Sequence, residues 1–543
     1  MSGAMRTAFF GALVAAIATL PGLGTGTLWD NSETAYGEVA REILLTHDWV
    51  VMHLNLTPWF VQPPLYFWIA AGFAKIFGVG SFALRLPSAL ATIAMGASIG
   101  YASARLAGPR VGLYGAIVLS TSLMQAIIGR MAIMDALLDL AVAIGILALF
   151  RAFTGGWQAA SVLGAAIAIA LGILAKGPVA SVVVALVIVP WFMWERFARA
   201  RLTYPPIWLW VAGLALLLAI DVPWFALLAT REGLHAIDRL IGHYTFGRYV
   251  KTIESQSGPV WYYVPVVILG FFPWIAYLPN AAVAAWKRTR TPDDMSVHLA
   301  RLALVWSVAP FVFFSLAQTK LPNYLALELP ALALLVALWF DQLAVGEPRR
   351  SALIATAVIP LTIGAVAIAI AIYARDAHLL ASTQAVLGDL GTMGAVIFVG
   401  SIVTFVLLWI RQMEIAPYAF ALTAIVTVTY AMVVAEPHAE RFKPIPQLAA
   451  VIRDHRQNGD GIAIHNAGGG NSLIFYTQPH VDIIGGNIDP HDVICSASRT
   501  FYVTSARSAD TLTIEGREKH VVAASGNDVL LLFTSPRPGL ARC

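Results

Sequence analysis

The sequence predicts a mainly α, polytopic membrane protein, with about 13 transmembrane helices and then a small α/β domain on the outer face. Three observations carry this. Hydrophobic residues make up 58% of the 543, and charged residues only 12%, about half the share of a soluble globular chain. Apolar runs of about 17–25 residues, the length that crosses a bilayer, recur up to residue 435. Beyond that point the composition turns polar and no such run follows. The first observation excludes an ordinary soluble enzyme and a disordered chain. Together they divide the chain into a transmembrane domain, 1–435, and a soluble domain, 436–543.

The first apolar run ends near Leu20, after one basic residue, Arg6, and before a Pro-Gly break. No small-residue cleavage site closes it and many runs follow, so it reads as a first span, not a signal peptide. Further spans fall near 82–104, 111–128, 136–150, 159–174, 179–194 and 207–228. The remainder fall near 261–283, 299–316, 324–340, 352–372, 391–409 and 417–434. Residues 64–77 are apolar but short, and read as an interfacial or re-entrant helix.

Basic clusters orient these spans. Arg105 and Arg110, then Arg196, Arg199 and Arg201, then Lys287, Arg288 and Arg290, then Arg349 and Arg350 all fall on one face if the spans alternate. The positive-inside rule makes that face cytoplasmic. The N-terminus is then inside and the C-terminal domain outside, which in a bacterial inner membrane is the periplasm. The net charge of +4 is mild and no long Lys/Arg block occurs, so nucleic acid is not an expected partner. Cys495 and Cys543 are the only cysteines, without metal-ligand spacing and without the number a disulfide framework needs.

In the polar domain, 447–457 reads as a helix, and 461–466, 481–484, 500–504 and 529–533 as short strands. The Gly-rich turn from Asn466 to Asn471 reads as a flexible turn in preference to a phosphate cradle, since no Walker lysine follows it.

The outer loops, near 29–63, 229–259 and 318–323, hold the groups that can do chemistry. Asp30 and Glu33 follow the first span, where a carboxylate beside apolar surface is costly unless it is used or paired. Carboxylates there can hold a metal ion, accept a proton or orient a hydroxyl. Glu38, Glu42 and Asp48 read as a solvated helix face. Asp135 lies at another outer boundary, with Asp139 one turn deeper, where it could pair Arg130. Lys176, between two apolar runs, suits a phosphate or snorkels to the interface. Lys320 reads the same way, with Gln318, Asn323 and Tyr324 near it. His243, Tyr244, Arg248, Tyr249 and Lys251 form a basic-aromatic cluster able to clamp a phosphate.

Several of these residues stand in a familiar order. LWDNSETAYGEVARE (28–42), PPLYFW (63–68), AKG (175–177), WYYVP (261–265) and FSLAQTKLPNY (314–324) together resemble the GT-C glycosyltransferases of the protein mannosyltransferase and aminoarabinose (lipid A) transferase type. The resemblance implies a GT-C fold and transfer of a sugar from a polyprenyl phosphate, such as undecaprenyl phosphate, at the outer face of the inner membrane. The acceptor it implies is a lipid or glycan, such as a lipid A phosphate. It places the family's first-loop carboxylate pair at Ser32 and Glu33 and its second-loop aspartate at Asp135. The chain departs from the pattern at Ser32, at Ala35 where the family has an arginine, and at Val61 and Gln62 where it has Glu-Lys.

The site expected from these readings has Asp30, Glu33 and Asp135 as catalytic residues. Tyr36, Lys176, His243, Arg248, Lys320 and Tyr324 bind substrate. A hydroxyl acceptor needs a base, Asp30 or Glu33; a phosphate acceptor needs none. No cofactor is required beyond the lipid-linked sugar, and a divalent metal held by Asp30 and Glu33 stays open. The alternatives are a flippase of a lipid-linked sugar, a protein O-glycosyltransferase and a non-catalytic relative.

Overall fold

The computed structural model describes residues 2–155, 158–252, 256–292, 294–344, 349–376, 381–478, 480–485 and 488–535; Cys543 lies outside them. The chain forms two compact units. One contains Met1–Leu23, Phe60–Ile69 and Arg85–Ala435; the other contains Gly24–Trp59, Ala70–Leu84 and Glu436–Cys543. The sequence reading draws a single boundary, at 435. The structure instead groups two early segments with the C-terminal stretch.

In the first unit the apolar runs are helices. Among the described residues of the whole chain, ten helices are long and apolar enough to cross a membrane, and Gly3–Thr19, Leu65–Phe77 and Val260–Gly270 are shorter apolar helices. Two expected spans are broken. Residues 111–128 divide into Pro109–Ser120 and Leu123–Ile128, where the Thr121 and Ser122 hydroxyls donate back to the carbonyls of Ile117 (2.7 Å) and Leu119 (2.8 Å) and compete with the helix ladder. Residues 261–283 divide at Pro273, which has no N–H to donate, and helix resumes at Leu278–Arg288. The two breaks satisfy each other. The Leu123 N–H donates to the Phe272 carbonyl at 3.0 Å, and Trp274 Nε1 donates to Thr121 Oγ1 at 2.9 Å. Irregular backbone inside a membrane protein persists where protein groups replace water in this way.

Small residues let helices approach closely. A Cβ on Gly11 would meet the Gly96 carbonyl oxygen at 2.4 Å, and one on Gly112 would meet that of Gly100 at 2.5 Å, so Gly3–Thr19, Ser81–Ala107 and Pro109–Ser120 pack backbone to backbone. At the end of Val179–Phe197, the fully buried Glu195 accepts from Arg301 at 2.6 Å and lies 2.9 Å from His298 Nδ1. This ties that helix to Met295–Leu316. Arg130 donates to the carbonyls of Thr19 (2.8 Å) and Pro21 (2.6 Å). It finishes the first helix and does not pair Asp139.

The second unit carries a five-stranded sheet in the order 482–484, 461–465, 499–505, 528–534, 518–525. The first three strands are parallel and the last two antiparallel to their neighbours. Alternation sorts the side chains. Ile462, Ile464, Phe501 and Val503 pack with Ile445, Leu448 and Ile452 of Pro444–His455 and with Leu473 of Gly470–Thr477. Ala463, Tyr502, Leu531 and Phe533 pack with Ile494 and Ala509 on the other side. The four expected strands are present within a residue or two. The fifth, Glu518–Ser525, is an edge strand with its first four side chains exposed, and its polar composition hides it from an apolar-run reading. The same unit contains the helix Glu33–Thr46 and a hairpin pairing His53–Leu54 with Thr57–Pro58.

Candidate active site

The first unit holds a cavity of about 250 Å³, and local sequence explains how its charged groups arrive there. Asp135 opens the helix Asp135–Phe153, where the helix dipole favours a carboxylate. Lys176 closes Gln158–Lys176, where the dipole favours a cation. Gly177, at φ +76°, ends that helix in the left-handed conformation a glycine adopts without strain. Lys176 Nζ donates to Asp135 Oδ1 at 2.5 Å. Asn323 Nδ2 donates to the same oxygen at 2.7 Å, and Lys176 Nζ lies 5.4 Å from the centre of the Tyr324 ring. The two charged side chains are 12% and 5% exposed, so this is a buried ion pair.

Arg248 reaches the cavity by another route. The stretch 229–259, read from sequence as a loop, is mostly helical, with a wide-turn helix at Asp238–Gly247 followed by Arg248–Val250. The extended segment 317–320 fastens its end. Gln318 and Thr319 donate their N–H groups to the carbonyls of Tyr249 and Arg248, both at 3.0 Å, and Thr319 Oγ1 donates to that of Lys251 at 2.8 Å. The Arg248 guanidinium lies 5.8 Å from the Tyr244 ring centre, and Tyr249 stacks on Phe313 with centroids 4.7 Å apart. Gln62, Asp139, Tyr244, Thr245, Tyr249 and Thr319 add polar lining, and Leu138, Val179, Val182, Phe313 and Leu327 supply apolar wall.

Of the residues expected to bind substrate, Lys176, Arg248 and Tyr324 therefore share this cavity with Asp135. The others do not line it. His243 is exposed and sets its ring edge-on to Tyr244 at 4.9 Å. Lys320 is buried, and its Nζ donates to the carbonyls of Ser315 (2.7 Å) and Ala317 (2.5 Å). It caps the end of Met295–Leu316 instead of facing a ligand, and burial pulls its ammonium below the ordinary lysine range. Asn323, the second residue of the 3₁₀ helix Pro322–Glu328, is the group that reaches Asp135, where the sequence reading gives the role to Lys320.

Asp30, Glu33 and Tyr36 belong to the second unit, where each has a partner. Asp30 Oδ1 accepts from the N–H of Ser472 at 2.9 Å and from its hydroxyl at 2.8 Å, capping the start of Gly470–Thr477. The first turn of the helix that follows the Gly-rich turn thus presents an N–H, that of Ser472, to the chain's own carboxylate. Glu33 is fully buried and accepts from the Trp29 N–H at 2.9 Å. Tyr36 packs edge-on to Trp59 at 6.2 Å. Nearby, Lys443 Nζ donates to the Thr27 carbonyl at 2.9 Å, pairs with Glu440 at 2.6 Å and sits 4.0 Å from the Trp29 ring centre.

Glu38 and Glu42 are not solvated, as the sequence reading has them, but fully buried. Arg41 forms a two-pronged ion pair with Glu38. Glu42 takes the Leu56 N–H on both oxygens, at 3.1 and 3.0 Å. Burial, together with Glu38 alongside, lifts the Glu42 carboxyl to about 8. Among the described residues no three His, Cys, Asp or Glu side chains gather as a metal-ligand set. One oxygen of each of the two first-loop carboxylates, Asp30 Oδ1 and Glu33 Oε2, accepts from a backbone N–H.

The family model for dolichyl-phosphate-mannose-protein mannosyltransferases matches residues 61–225. An undecaprenyl phosphate-alpha-4-amino-4-deoxy-L-arabinose arabinosyl transferase of Erwinia tasmaniensis is 30% identical over 349 residues, 63% of this chain and 60% of that one. The protein of the same name from Edwardsiella ictaluri is 29% identical, over 62% of this chain and 59% of its own length. This chain thus spans about 60% of the length of the curated relatives it matches. The crystal structure of ArnT from Cupriavidus metallidurans bound to undecaprenyl phosphate superposes with a TM-score of 0.80 at 22% identity, covering 96% of this chain and 97% of that one, a likeness of fold. Sequence and fold agree: the chain is similar to the GT-C proteins of the protein mannosyltransferase and aminoarabinose transferase type.

Proposed function

We propose that this protein is an integral membrane glycosyltransferase. It moves a sugar from an undecaprenyl phosphate donor to a lipid or glycan acceptor, such as a lipid A phosphate, at the periplasmic face. The observation that carries this reading is the cavity in which Lys176 and Arg248 meet an apolar wall beside Asp135. A phosphate on a long hydrocarbon tail needs that combination, cations for the head and apolar surface for the tail.

The chemistry is a displacement at the anomeric carbon. An acceptor oxygen forms the new bond, the bond to the donor phosphate oxygen breaks, and undecaprenyl phosphate leaves with the electron pair. A phosphate acceptor attacks already ionised, so no base is required. The leaving phosphate gains charge, and fixed cations there lower the barrier. Lys176 fits this role because its carboxylate partner is exchangeable: a phosphate oxygen replaces Asp135 as acceptor while Asn323 continues to hold Asp135. Arg248 adds planar donors, backed by the Tyr244 ring.

Orientation follows from the basic loops, with the N-terminus cytoplasmic and the domain 436–543 periplasmic. The test is transfer in detergent, without vesicles. Purified protein, undecaprenyl phosphate carrying 4-amino-4-deoxy-arabinose, and lipid A should yield lipid A heavier by one aminopentose residue and free undecaprenyl phosphate. No product from either lipid A or a neutral glycan acceptor would overturn the reading.

A further inference from the structure

The first unit holds a second cavity, of about 360 Å³, which shares no lining residue with the first. It follows one stripe of Val179–Phe197, through Ser181, Ala185, Ile188 and Phe192, at the spacing that sets side chains on one helix face. At the Phe192 end the ring of Phe153 lies 5.1 Å from that of Phe192 and 5.8 Å from that of Trp210, centre to centre. The polar groups of the lining are spent inside the protein. Ser181 Oγ donates to the Pro178 carbonyl at 2.7 Å, and Trp210 Nε1 to that of Pro205 at 3.3 Å. Such a lining offers water nothing to bond. Val189, also in the lining and 54% exposed, stands on the open side, which in a spanning helix meets lipid.

Beyond Phe192 the surface turns basic. Arg196, one turn further on, donates to the Tyr204 hydroxyl at 2.7 Å, and the Tyr204 ring meets that of Phe192 edge-on at 6.3 Å. Arg196, Arg199 and Arg201 are all exposed. Thr203 fastens their loop to the end of the groove, its N–H donating to the Phe153 carbonyl at 2.8 Å and its hydroxyl to that of Ala152 at 2.9 Å. From 149 to 210 the sequence has a single acid, Glu195. It is buried and paired with Arg301, so nothing in that stretch offsets the three exposed charges.

We propose that this groove holds one acyl chain of an anionic phospholipid whose phosphate lies on Arg196, Arg199 and Arg201. Length, wall and charge each point to that occupant. From Ser181 to Phe192 the stripe rises about 17 Å, close to half of the roughly 30 Å hydrocarbon core, the depth of one leaflet. An acyl chain fills that depth, whereas a polyprenyl tail, much longer, overruns it. Tyr204 and Trp210 stand at the basic end, the level at which amphipathic rings gather in a membrane protein. A zwitterionic phospholipid would suit the groove but not the arginines, because its head carries no net charge. The orientation proposed above makes this leaflet the cytoplasmic one. The groove and the substrate cavity are separate but share a helix, since Val179 and Val182 of Val179–Phe197 line the latter. A lipid in the groove therefore packs along another face of a helix that shapes the substrate cavity.

Purified full-length protein in detergent is titrated with dioleoyl phosphatidylglycerol, dioleoyl phosphatidylcholine and glycerol phosphate, and bound molecules are counted by native mass spectrometry. One phosphatidylglycerol per chain should bind at least about tenfold more tightly than phosphatidylcholine, since each surface arginine adds about fivefold to the attraction of an anionic lipid. Glycerol phosphate, which lacks the chain, should not bind. The triple variant Arg196→Gln, Arg199→Gln, Arg201→Gln should bind the two lipids alike. Ala185→Trp and Val189→Trp fill the groove from its open side, and each should lose the tight phosphatidylglycerol with all three arginines intact. Undecaprenyl phosphate binding should persist in all of these variants. Equal binding of the two phospholipids by the wild type would overturn the proposal, as would a preference that survives in the triple variant. Tight phosphatidylglycerol binding kept in both tryptophan variants would remove the groove from the site. Glycerol phosphate binding as tightly as the lipid would reduce it to a bare anion site, and one-for-one displacement of phosphatidylglycerol by undecaprenyl phosphate would make it a polyprenyl site. Failure of the donor assignment reads differently: undecaprenyl phosphate then does not bind, while selective phosphatidylglycerol binding remains.

Discussion

Replacing Lys176 by Met separates what the Asp135–Lys176 pair does for the fold from what it does for a ligand. The pair is 2.5 Å long, and its side chains are 12% and 5% exposed. Removing the ammonium leaves Asp135 buried with one amide donor, Asn323 at 2.7 Å, and with Asp139 also buried nearby. Breaking a buried pair from one side costs about 3–5 kcal/mol, because the remaining charge is uncompensated, whereas replacing both partners by neutral groups is often close to neutral. Lys176→Met should therefore lower thermal stability markedly in detergent, read by tryptophan fluorescence. The double variant Lys176→Met with Asp135→Asn should recover most of the loss. Undecaprenyl phosphate affinity should behave differently. Loss of a hydrogen bond to a charged group costs about 1.5–3 kcal/mol, so binding should fall at least tenfold in both the single and the double variant. A double variant that regains wild-type affinity would make the pair structural only. A single variant as stable as wild type would show that the pair is not buried as described.

Asp30→Ala should destabilise the second unit by about 1–2 kcal/mol, the worth of a helix cap, while Asp30→Asn keeps transfer within about threefold; a drop of a general base's size, about a hundredfold, at unchanged stability would restore Asp30 as a base. Lys320→Met should cost about 1.5–3 kcal/mol of stability through its two carbonyls; lost donor binding without lost stability would return Lys320 to the phosphate site. The folded Glu42 carboxyl is raised to about 8 from 4.5, so its contribution is full below pH 4.5 and declines as pH rises towards 8. The stability difference between wild type and Glu42→Gln should shift against wild type across that window, and a pH-independent difference would remove the effect. A reporter fused after Phe533 should be active only outside the cytoplasm, and a cytoplasmic signal would reverse the topology.

Much of the fold was legible because hydropathy is read one residue at a time. Ten long apolar helices and four strands follow from composition along the chain. The breaks at Thr121-Ser122 and Phe272-Pro273 were not, since each is stable only because the other supplies its hydrogen bonds. Glu38, Arg41 and Glu42 show the same limit in the second unit. An acid-base-acid face on a helix ordinarily faces water, and here burial depends on the segment that brings Leu56 back to Glu42, fourteen residues away.

Lys176 and Lys320 carry the same signature in sequence, an isolated lysine between apolar runs, and only their acceptors tell them apart. Lys320 donates to two backbone carbonyls of the helix end it follows. If it turned to a phosphate, those carbonyls would lose their partner inside a buried site, so its occupation is permanent. Lys176 donates to a carboxylate that keeps a second donor in Asn323 and faces a cavity. A phosphate oxygen offers Lys176 an acceptor of equal charge, and Asp135 loses only one of its two donors in the exchange. A buried cation is available to a ligand when its resting partner survives the exchange, and that condition depends on a residue 188 positions from Asp135 in the chain.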